Sequence, residues 1–293
     1  MSAGKKGGNA LPTTRPHDPW LEPGGGTVDA APAPQLFSPS ELFHEASKLC
    51  PGDRALYRWI GYVSSSPEMH ATLSRPLVGY RAYPPIPLPP TRRAAALPFD
   101  AVVLRRRSRR SFGAVPMDLS TLAEIVRLGG GVSHVLRTPE GVNWPFRTAP
   151  SGGGLYPVDL YCAALRVNDV AAGLYAYVPT DHCLQQVRQG DLREELSSAV
   201  PAHRDSIAGA SACLILSGVM ERSKFKYGER AYRFLLLEAG HIGQNILLAA
   251  EAMGWGAFPV GGFLDDPVNH MMGFDGVEVA ALYLVLIGKE DSP

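Results

Sequence analysis

The hydrophobic positions change their spacing along the chain, and each spacing predicts a different element. Residues 118–128 place apolar side chains three and four positions apart after Ser120, which can cap a helix, and then run into three glycines. They predict a helix. Residues 229–253 carry apolar side chains around most of the helical circumference, which predicts a long helix buried on several sides. Residues 36–60 begin with another helical pattern behind a capping serine.

Other segments are continuously apolar or alternate with a period of two, and they predict strands. These segments are 158–167, 173–178, 212–220 and 278–288. A shorter apolar segment, 256–263, is interrupted by a glycine pair. Strands and helices are interspersed without regular βαβ alternation, so the pattern predicts the α+β class.

Proline is unevenly distributed, and this predicts the domain organisation. Of the 26 prolines, 16 lie in the first 100 residues, and six of these fall within residues 76–90, here called the strap. Such a density forbids a helix and suits an extended segment lying over a surface. We therefore expect a flexible arm over 1–35, an extension with a helix and the strap over 36–98, and the main domain over 99–293.

Composition narrows the function classes. The 293 residues contain 28 basic and 28 acidic side chains, so the formal net charge is zero, which argues against a general nucleic-acid or membrane-surface binder. No apolar run reaches the length of a membrane helix, and the N-terminus lacks the apolar core of a secretory signal. Cys50, Cys162, Cys183 and Cys213 show no paired spacing, so we expect no metal site and a reducing cytoplasm.

Several familiar cofactor motifs are missing from the sequence. There is no GxxxxGK[ST] phosphate loop, no GxGxxG fingerprint between a strand and a helix, and no GxSxG elbow. If this protein uses nicotinamide, it does so without a dedicated dinucleotide-binding domain.

Residues 104–112, LRRRSRRSF, form the first segment with a distinctive chemistry. They contain five arginines within six positions. Taken alone, such a run is a solvated charged face, a nucleic-acid patch or a phosphate site, because guanidinium groups bind phosphate with two parallel hydrogen bonds. Its position at the entry to the predicted main domain favours the phosphate site.

Two glycine-rich segments and a lysine–tyrosine pair follow. Residues 149–161 (APSGGGLYPVDLY) and 258–263 (FPVGGF) lack side chains where a planar ligand can lie against the backbone, although a plain turn explains each segment alone. Lys226 and Tyr227 adjoin each other just before the long predicted helix. Their proximity, burial and the neighbouring Arg230 are expected to lower both pKa values and suit them to proton transfer; an ordinary helix entry is the alternative.

These segments occur in an order that resembles one family. RRSxRxF, PSGGGLYPxxLY, KYGxRxYR, GWGAFPVGGF and a terminal Gly-Lys together resemble the SagB-type dehydrogenases, a branch of the FMN-dependent nitroreductase superfamily that includes azoline oxidases. The resemblance covers roughly residues 99–289. It implies a nitroreductase-like fold with an antiparallel or mixed central sheet flanked by helices. It also implies FMN as the cofactor and a homodimer with flavin sites at the interface.

The resemblance assigns roles to individual residues. Lys226 or Tyr227 is the implied base. The implied FMN-binding residues are Arg106, Ser108 and Arg110 from the first motif, Pro150, Ser151, Gly152 and Gly154 from the second, Gly261 and Gly262 from the third, and Gly288 and Lys289 from the fourth. Arg106 is the expected phosphate ligand, and a backbone N–H at the glycine pair is expected to bond the flavin N5.

The implied reaction is the oxidation of a thiazoline or oxazoline to the aromatic azole, on a peptide, a carrier protein or a related natural-product intermediate. A base removes a proton, the hydride passes to FMN, and oxygen reoxidises the cofactor. Two alternatives remain open at this point. One is an NAD(P)H-dependent nitro or quinone reductase or another flavin oxidase, and the other is a flavin-binding protein without enzymatic activity.

Overall fold

A computed structural model describes residues 38–50, 52–66, 68–69, 83–90, 97–137, 141 and 143–290. The predicted arm over 1–35 and residues 76–82 of the strap lie outside these described residues. The strands are β1 Ile86–Pro87, β2 Val132–Arg137, β3 Asn143–Arg147, β4 Val158–Ala164, β5 Gly173–Val178, β6 Cys183–Gln189, β7 Ala212–Val219, β8 Gly256–Val260 and β9 Val279–Gly288. The helices are α1 Pro39–Ala46, α2 Arg54–Ser65, α3 Phe99–Arg105, α4 Leu119–Gly130, α5 Arg193–Ala199, α6 Arg204–Gly209, α7 Glu221–Tyr227, α8 Ala231–Ala252 and α9 Asp265–Met272.

The described strands form a seven-stranded sheet in the order β1-β6-β5-β4-β7-β9-β8, together with a separate β2–β3 hairpin. Every strand pair of the large sheet is antiparallel. The predicted α+β class with an antiparallel central sheet is therefore confirmed. Strand β6, CLQQVRQ, was not predicted, because its glutamines interrupt the apolar pattern.

The central strands are continuously apolar because both faces of the sheet are covered. Along β4, Leu160 and Cys162 pack into the cluster formed with α4 and α8, while Tyr161 and Ala163 pack into the cluster formed with α5, α6 and α9. Alternate side chains point to opposite faces of a strand, so each face needs its own apolar set. The buried core thus consists of two layers, one on either side of β4, β7 and β9.

Helices α4 and α8 pack closely against each other. Helix α4 begins at Leu119, so Ser120 lies inside it and Asp118 occupies the capping position that the sequence pattern assigned to Ser120. The Asp118 carboxylate instead accepts a hydrogen bond of 2.9 Å from Asn168 Nδ2. At the other end, a Cβ placed on Gly129 would lie 2.6 Å from Ile246 of α8, so the absence of a side chain there lets the helices approach.

The N-terminal pattern over 36–60 corresponds to two helices, α1 and α2, which lie against α7 and the start of α8. Trp59 Nε1 donates a hydrogen bond of 2.6 Å to the carbonyl of Phe225. Arg230 donates to the Ser47 carbonyl at 3.1 Å, and Arg233 Nε donates to Ser47 Oγ at 2.8 Å. These contacts attach the extension beside the lysine–tyrosine pair.

The described end of the strap adds a short strand to the edge of the sheet. Ile86 and Pro87 pair with β6, and Gln185 Nε2 donates to the Tyr83 carbonyl at 2.5 Å. Proline suits an edge strand because it has no N–H to offer to a further neighbour. Within the described ranges, none of the helices combines the length and the apolar character that crossing a bilayer requires.

Candidate active site

The glycine-rich turn before β4 lies directly against the lysine–tyrosine pair. Gly152–Gly154 forms a single helical turn, and Gly153 has a φ of +66°, a conformation that side chains disfavour. A Cβ on Gly153 would overlap Tyr227 Oη and would lie 3.2 Å from Lys226 Nζ. The fold therefore brings together two segments that are more than 70 positions apart in the sequence.

Lys226 is a buried amine with an altered proton affinity. It lies in the last turn of α7, only 5% of its surface is exposed, and its Nζ is 5.3 Å from the centroid of the Tyr227 ring. No hydrogen bond or ion pair joins this amine to the part of the chain that the structure describes. Burial lowers the pKa of Lys226, because removal from water disfavours the ammonium form.

Tyr227 responds to burial in the opposite direction, which corrects one expectation. Burial raises the pKa of Tyr227, since the charged form of a phenol is the phenolate. Its ring packs edge-on against Phe234 with centroids 5.0 Å apart. Arg230 does not offset the burial, because its guanidinium is directed to the carbonyl of Ser47, the residue that follows α1. The prediction that both pKa values fall holds for Lys226 and is wrong for Tyr227.

Most of the arginine run is engaged by neighbouring protein groups. Arg109 forms ion pairs with Glu251 at 3.2 Å and Glu290 at 2.9 Å, and Arg105 Nε lies 3.6 Å from Glu251. Arg107 donates to two backbone carbonyls. These ion pairs therefore connect the end of α3 and the segment after it to α8 and to the residue that follows the motif at the end of β9.

Arg106, Ser108 and Arg110 occupy different positions within this segment. Within the described residues, the Arg106 guanidinium has no hydrogen-bond or ion-pair partner. Burial raises the pKa of nearby Tyr283, and the positive charge of Arg106 partly offsets that rise. Arg110 lies over the Phe258 ring, 4.5 Å from its centroid, and Ser108 forms a β-bridge with Ala257. Arg110 Nη1 donates to the Ser108 carbonyl at 3.4 Å, so of the two arginines Arg106 is the more available to an anion.

The glycine pair after β8 borders open space. Nothing lies within 4 Å of the position where a Cβ on Gly262 would stand, and a Cβ on Gly261 would lie 3.8 Å from the Tyr283 ring. A Cβ on Gly243 of α8 would lie 2.8 Å from the same ring. Tyr283 is thus held between α8 and the glycine pair, close to Arg106.

In the terminal Gly-Lys motif, Gly288 is buried and Lys289 is exposed. A Cβ on Gly288 would lie 2.6 Å from the Phe112 ring, so this glycine makes room for a buried aromatic residue. Lys289 is exposed, and its Nζ donates to the Gly254 carbonyl at 2.6 Å and lies 5.3 Å from the Trp255 ring centroid. The Lys289 carbonyl accepts the N–H of Gly113, which joins the motif to the end of the arginine run.

Pro150 and Ser151 directly precede the glycine-rich turn. The Ser151 hydroxyl accepts the N–H of Tyr156 at 2.9 Å, which closes the turn, and Pro150 is exposed on the preceding side. Gly152 lies against the Phe234 ring, and a Cβ on Gly154 would lie 3.3 Å from Trp144 Nε1. The motif therefore forms one wall beside Lys226 and Tyr227.

Glu238 is a residue that the sequence analysis missed. It lies on α8 with only 2% of its surface exposed, and its Oε1 accepts the N–H of Val158 at 3.3 Å. Burial raises the pKa of its carboxyl to about 7, although Ser151 and Arg147 act in the opposite direction. The sequence does contain a signal for this residue, because Glu238 is the one acid within the apolar stretch FLLLEAG. A glutamate in a buried stretch is almost always paired with another polar group, so its presence there indicates a special role.

The predicted site residues form two groups on one chain. One contains the Gly152–Gly154 turn with Lys226 and Tyr227, near Phe234 of α8; the other contains Arg106 and the glycine pair, near Gly243 of α8. Residues nine positions apart on a helix are separated by about 13 Å along its axis. A single chain therefore presents the two groups at different points along α8.

Comparison with known proteins supports the fold. The nitroreductase family model matches residues 103–289. A protein of Methanocaldococcus jannaschii named as a nitroreductase is 30% identical over 191 residues, which are 65% of this chain and 90% of that protein. The microcin B17-processing protein McbC of Escherichia coli is 28% identical over 146 residues, which are 48% of this chain and 54% of that protein. The chain thus spans about half the length of McbC.

A solved structure extends the likeness of fold beyond the family model. A chain of the Escherichia coli microcin synthetase complex McbBCD, solved with truncated pro-MccB17 bound, superposes with a TM-score of 0.55. The superposition covers 84% of this chain and 99% of the McbBCD chain, at 20% sequence identity. At this identity, the match bears on the fold alone.

Proposed function

Because this chain belongs to the nitroreductase family, we propose that it is an FMN-dependent oxidoreductase of the SagB type that oxidises an azoline ring to an azole. The observation that carries the proposal is the buried amine of Lys226, which lies beside Tyr227 and the Gly152–Gly154 turn. The partial similarity to McbC, a microcin B17-processing protein, supports the same proposal. The substrate is a natural-product intermediate in which the ring is free, peptide-linked or carrier-linked.

The residues present fit FMN. Arg106 offers a guanidinium without a partner in the described part of the chain, which suits a phosphate. Gly262 borders open space beside Gly261, which suits a flat ring lying against the backbone. Lys289 adds a surface cation, whereas Ser108, Arg110 and Gly288 support this region by backbone pairing and packing. When bound, FMN supplies a two-electron acceptor for hydride, which oxygen can reoxidise.

The chain itself supplies the proton chemistry. Oxidation of an azoline removes a proton from one ring carbon and a hydride from the neighbouring carbon. Lys226 Nζ, in its neutral form, takes the proton, because its lowered pKa increases the fraction of free amine at neutral pH. Tyr227 stays protonated and donates a hydrogen bond that orients the ring, since its pKa is raised.

The experiment that tests this function is a turnover assay on purified, flavin-loaded protein. Thiazoline and oxazoline substrates are expected to lose the mass of two hydrogen atoms while oxygen is consumed, and the flavin is identified by its absorption and mass. If NAD(P)H is oxidised with a nitroarene and no azoline is changed, the protein is a nitro or quinone reductase instead. A purified protein without flavin and without turnover would contradict both activities.

We also propose that the protein is a homodimer that completes its flavin sites across the interface. Tyr232, Leu236 and Leu237 leave an exposed apolar strip on α8, with exposures of 40%, 44% and 60%. A second copy covering this strip would bring the glycine-rich turn of one chain toward the Arg106 group of the other. Light scattering is expected to give twice the mass of one chain, and the mass of a single chain would contradict the dimer.

The variant Gly262→Leu tests the cofactor site. Its side chain would project into space that is open in the protein, so FMN affinity is expected to fall by about tenfold or more while the stability of the FMN-free protein changes by less than about 0.5 kcal/mol. Fluorescence titration with FMN and urea unfolding measure the two effects.

A matched control comes from Gly61→Leu on α2, where nothing lies within 4 Å either. This variant is expected to bind FMN normally. Equal FMN affinity in the Gly262→Leu variant and the parent protein would exclude the glycine pair from the flavin site.

A further inference from the structure

The glycine-rich turn has a backbone conformation that the chain by itself disfavours. Gly153 and Gly154 have φ values of +66° and +65°, and Tyr156, which carries a side chain, has a φ of +48°. Such conformations cost free energy and persist only where the surrounding structure holds them. Because a Cβ on Gly153 would lie 3.2 Å from Lys226 Nζ, the groups that hold this turn also set the surroundings of the amine.

Side chains of two other elements bind both backbone polar groups of Val158, where β4 begins after the turn. Glu238 of α8 accepts the Val158 N–H through Oε1 at 3.3 Å. Arg147 of β3 donates to the Val158 carbonyl through Nη1 at 3.0 Å. Ser151, which precedes the turn, also acts on the Glu238 carboxyl and lowers its pKa against the effect of burial. Glu238 is therefore in contact with the chain after the turn and interacts with the residue before it.

Stability does not explain a carboxyl at this position. Glu238 is buried and its pKa is raised to about 7, so its ionisation at neutral pH costs folding free energy. The charged residues that act on it are Arg147 and Asp159, and they act in opposite directions. An apolar side chain of similar volume would avoid the cost of burying a carboxyl, but it could not accept the Val158 N–H.

The charge of Glu238 does not act directly on the amine of Lys226. Burial lowers the pKa of Lys226, and no charged group of the described residues contributes to that shift. The turn is part of what buries this amine, since the Gly153 backbone lies against Nζ. A displacement of the turn would therefore admit water to the amine and restore its ordinary proton affinity.

We propose that Glu238 is a positioning residue for the proton transfer, because its hydrogen bond to Val158 holds the Gly152–Gly154 turn against the Lys226 amine. This inference rests on the proposed function and deepens it, since it assigns control of the same site to a residue of α8 that acts through the backbone. The neutral form of the amine at neutral pH then depends on this one hydrogen bond.

Apolar variants remove the hydrogen bond while filling the same space. Glu238→Leu and, as an unbranched second variant, Glu238→Met are expected to release the turn, whereas Glu238→Gln keeps an oxygen that accepts the Val158 N–H. The titration of Lys226 is followed by NMR of nitrogen-15-labelled lysine side chains in flavin-loaded protein, and its signal is identified by its absence from Lys226→Ala. The apolar variants are expected to raise the midpoint of this titration by about one pH unit or more, while Glu238→Gln keeps the parent midpoint.

Azoline turnover provides a second measure of the same shift. In the apolar variants the rising limb of the pH profile is expected to move to higher pH, so that kcat at pH 7 falls by about tenfold and recovers as the pH rises. The control is Leu196→Ala in the core layer on the other face of the sheet, which lowers stability by removing buried contacts. It is expected to keep both midpoints, because a loss of folded protein lowers the amplitude of a pH profile without moving its midpoint.

Three results would overturn this inference. They are folded apolar variants with parental midpoints, a Glu238→Gln variant that shifts as far as the apolar ones, and the failure of both apolar variants to fold, which would assign Glu238 to stability alone. The proposed function fails separately: if Lys226 titrates below an ordinary lysine and shifts in the apolar variants, but the flavin-loaded parent oxidises no azoline, the positioning role stands and the azoline oxidase activity does not.

Discussion

Replacement of Lys226 by alanine is expected to lower azoline turnover by about 10²–10⁴-fold, the usual contribution of a positioned acid–base group. Lys226 is buried on α7, its amine is close to the Gly153 backbone, and burial lowers its pKa. Because the neutral amine is the active form, the parent rate is expected to rise with pH up to this lowered pKa and to level off above it. The alanine variant is expected to lose that rising limb.

The control for this variant is Lys224→Ala on the same helix. Lys224 is exposed and lies 3.4 Å from the carboxylate of Glu229, so its removal is expected to leave both the rate and the pH profile close to those of the parent. Steady-state kinetics across pH and the absorption of bound flavin are the measurements. Near-parental turnover by flavin-loaded Lys226→Ala would remove Lys226 from the proton transfer.

Tyr227→Phe separates the two candidates for the base. The raised pKa of Tyr227 keeps the phenol protonated, so its loss is expected to cost less turnover than the loss of Lys226 and to leave the rising limb in place. If instead Tyr227→Phe removes the limb and Lys226→Ala keeps it, the phenol is the base. Either result resolves a choice that the sequence left open.

The second large effect concerns stability rather than turnover. Burial raises the pKa of Glu238 to about 7, whereas an unfolded glutamate titrates near 4.3. Between these values the native state holds more protons than the unfolded state, so the free energy of unfolding falls as pH rises through this window and is level above it. The contribution of this one group amounts to at most about 4 kcal/mol over the whole window.

Glu238→Gln is expected to abolish this fall in the free energy of unfolding at high pH. The amide oxygen can still accept the Val158 N–H, and no charge has to be buried at high pH. The stability of the variant relative to the parent is therefore expected to increase by up to about 3 kcal/mol between pH 5 and pH 8. Urea unfolding of both proteins at these two values measures the change, since groups common to both cancel in the difference.

An exposed glutamate provides the comparison. Glu194→Gln on α5 replaces a solvated side chain, and its stability difference from the parent is expected to stay the same at both pH values. A Glu238→Gln difference that is equally independent of pH would show that the carboxyl of Glu238 titrates normally in the native protein.

The elements with long or continuous apolar patterns could be predicted from the sequence. The long helix and the strand over 212–220 correspond to α8 and β7, with ends within two residues of the predicted ones. In both cases, burial on more than one side requires apolar residues throughout, and such a pattern is visible without knowledge of neighbours. Strand β6 could not be predicted, because its glutamines interrupt the apolar pattern and its pairing with β1 involves a segment distant in the sequence.

The candidate site, like the fold, could be predicted in part from the sequence. The residue types, their order and the resemblance to a flavoenzyme branch are properties of the sequence, because glycine, arginine and lysine carry their conformational freedom or charge wherever they lie. The sequence alone therefore determined the α+β class and the set of candidate residues.

The surroundings of each candidate residue depend on the tertiary structure. It engages Arg109 with two glutamates, leaves Arg106 without a partner in the described part of the chain, and places Gly153 against Lys226. It also sets the pKa of Lys226 and Tyr227 in opposite directions. The physical reason is that burial, ion pairing and close backbone approach depend on distances between segments that the chain order does not specify.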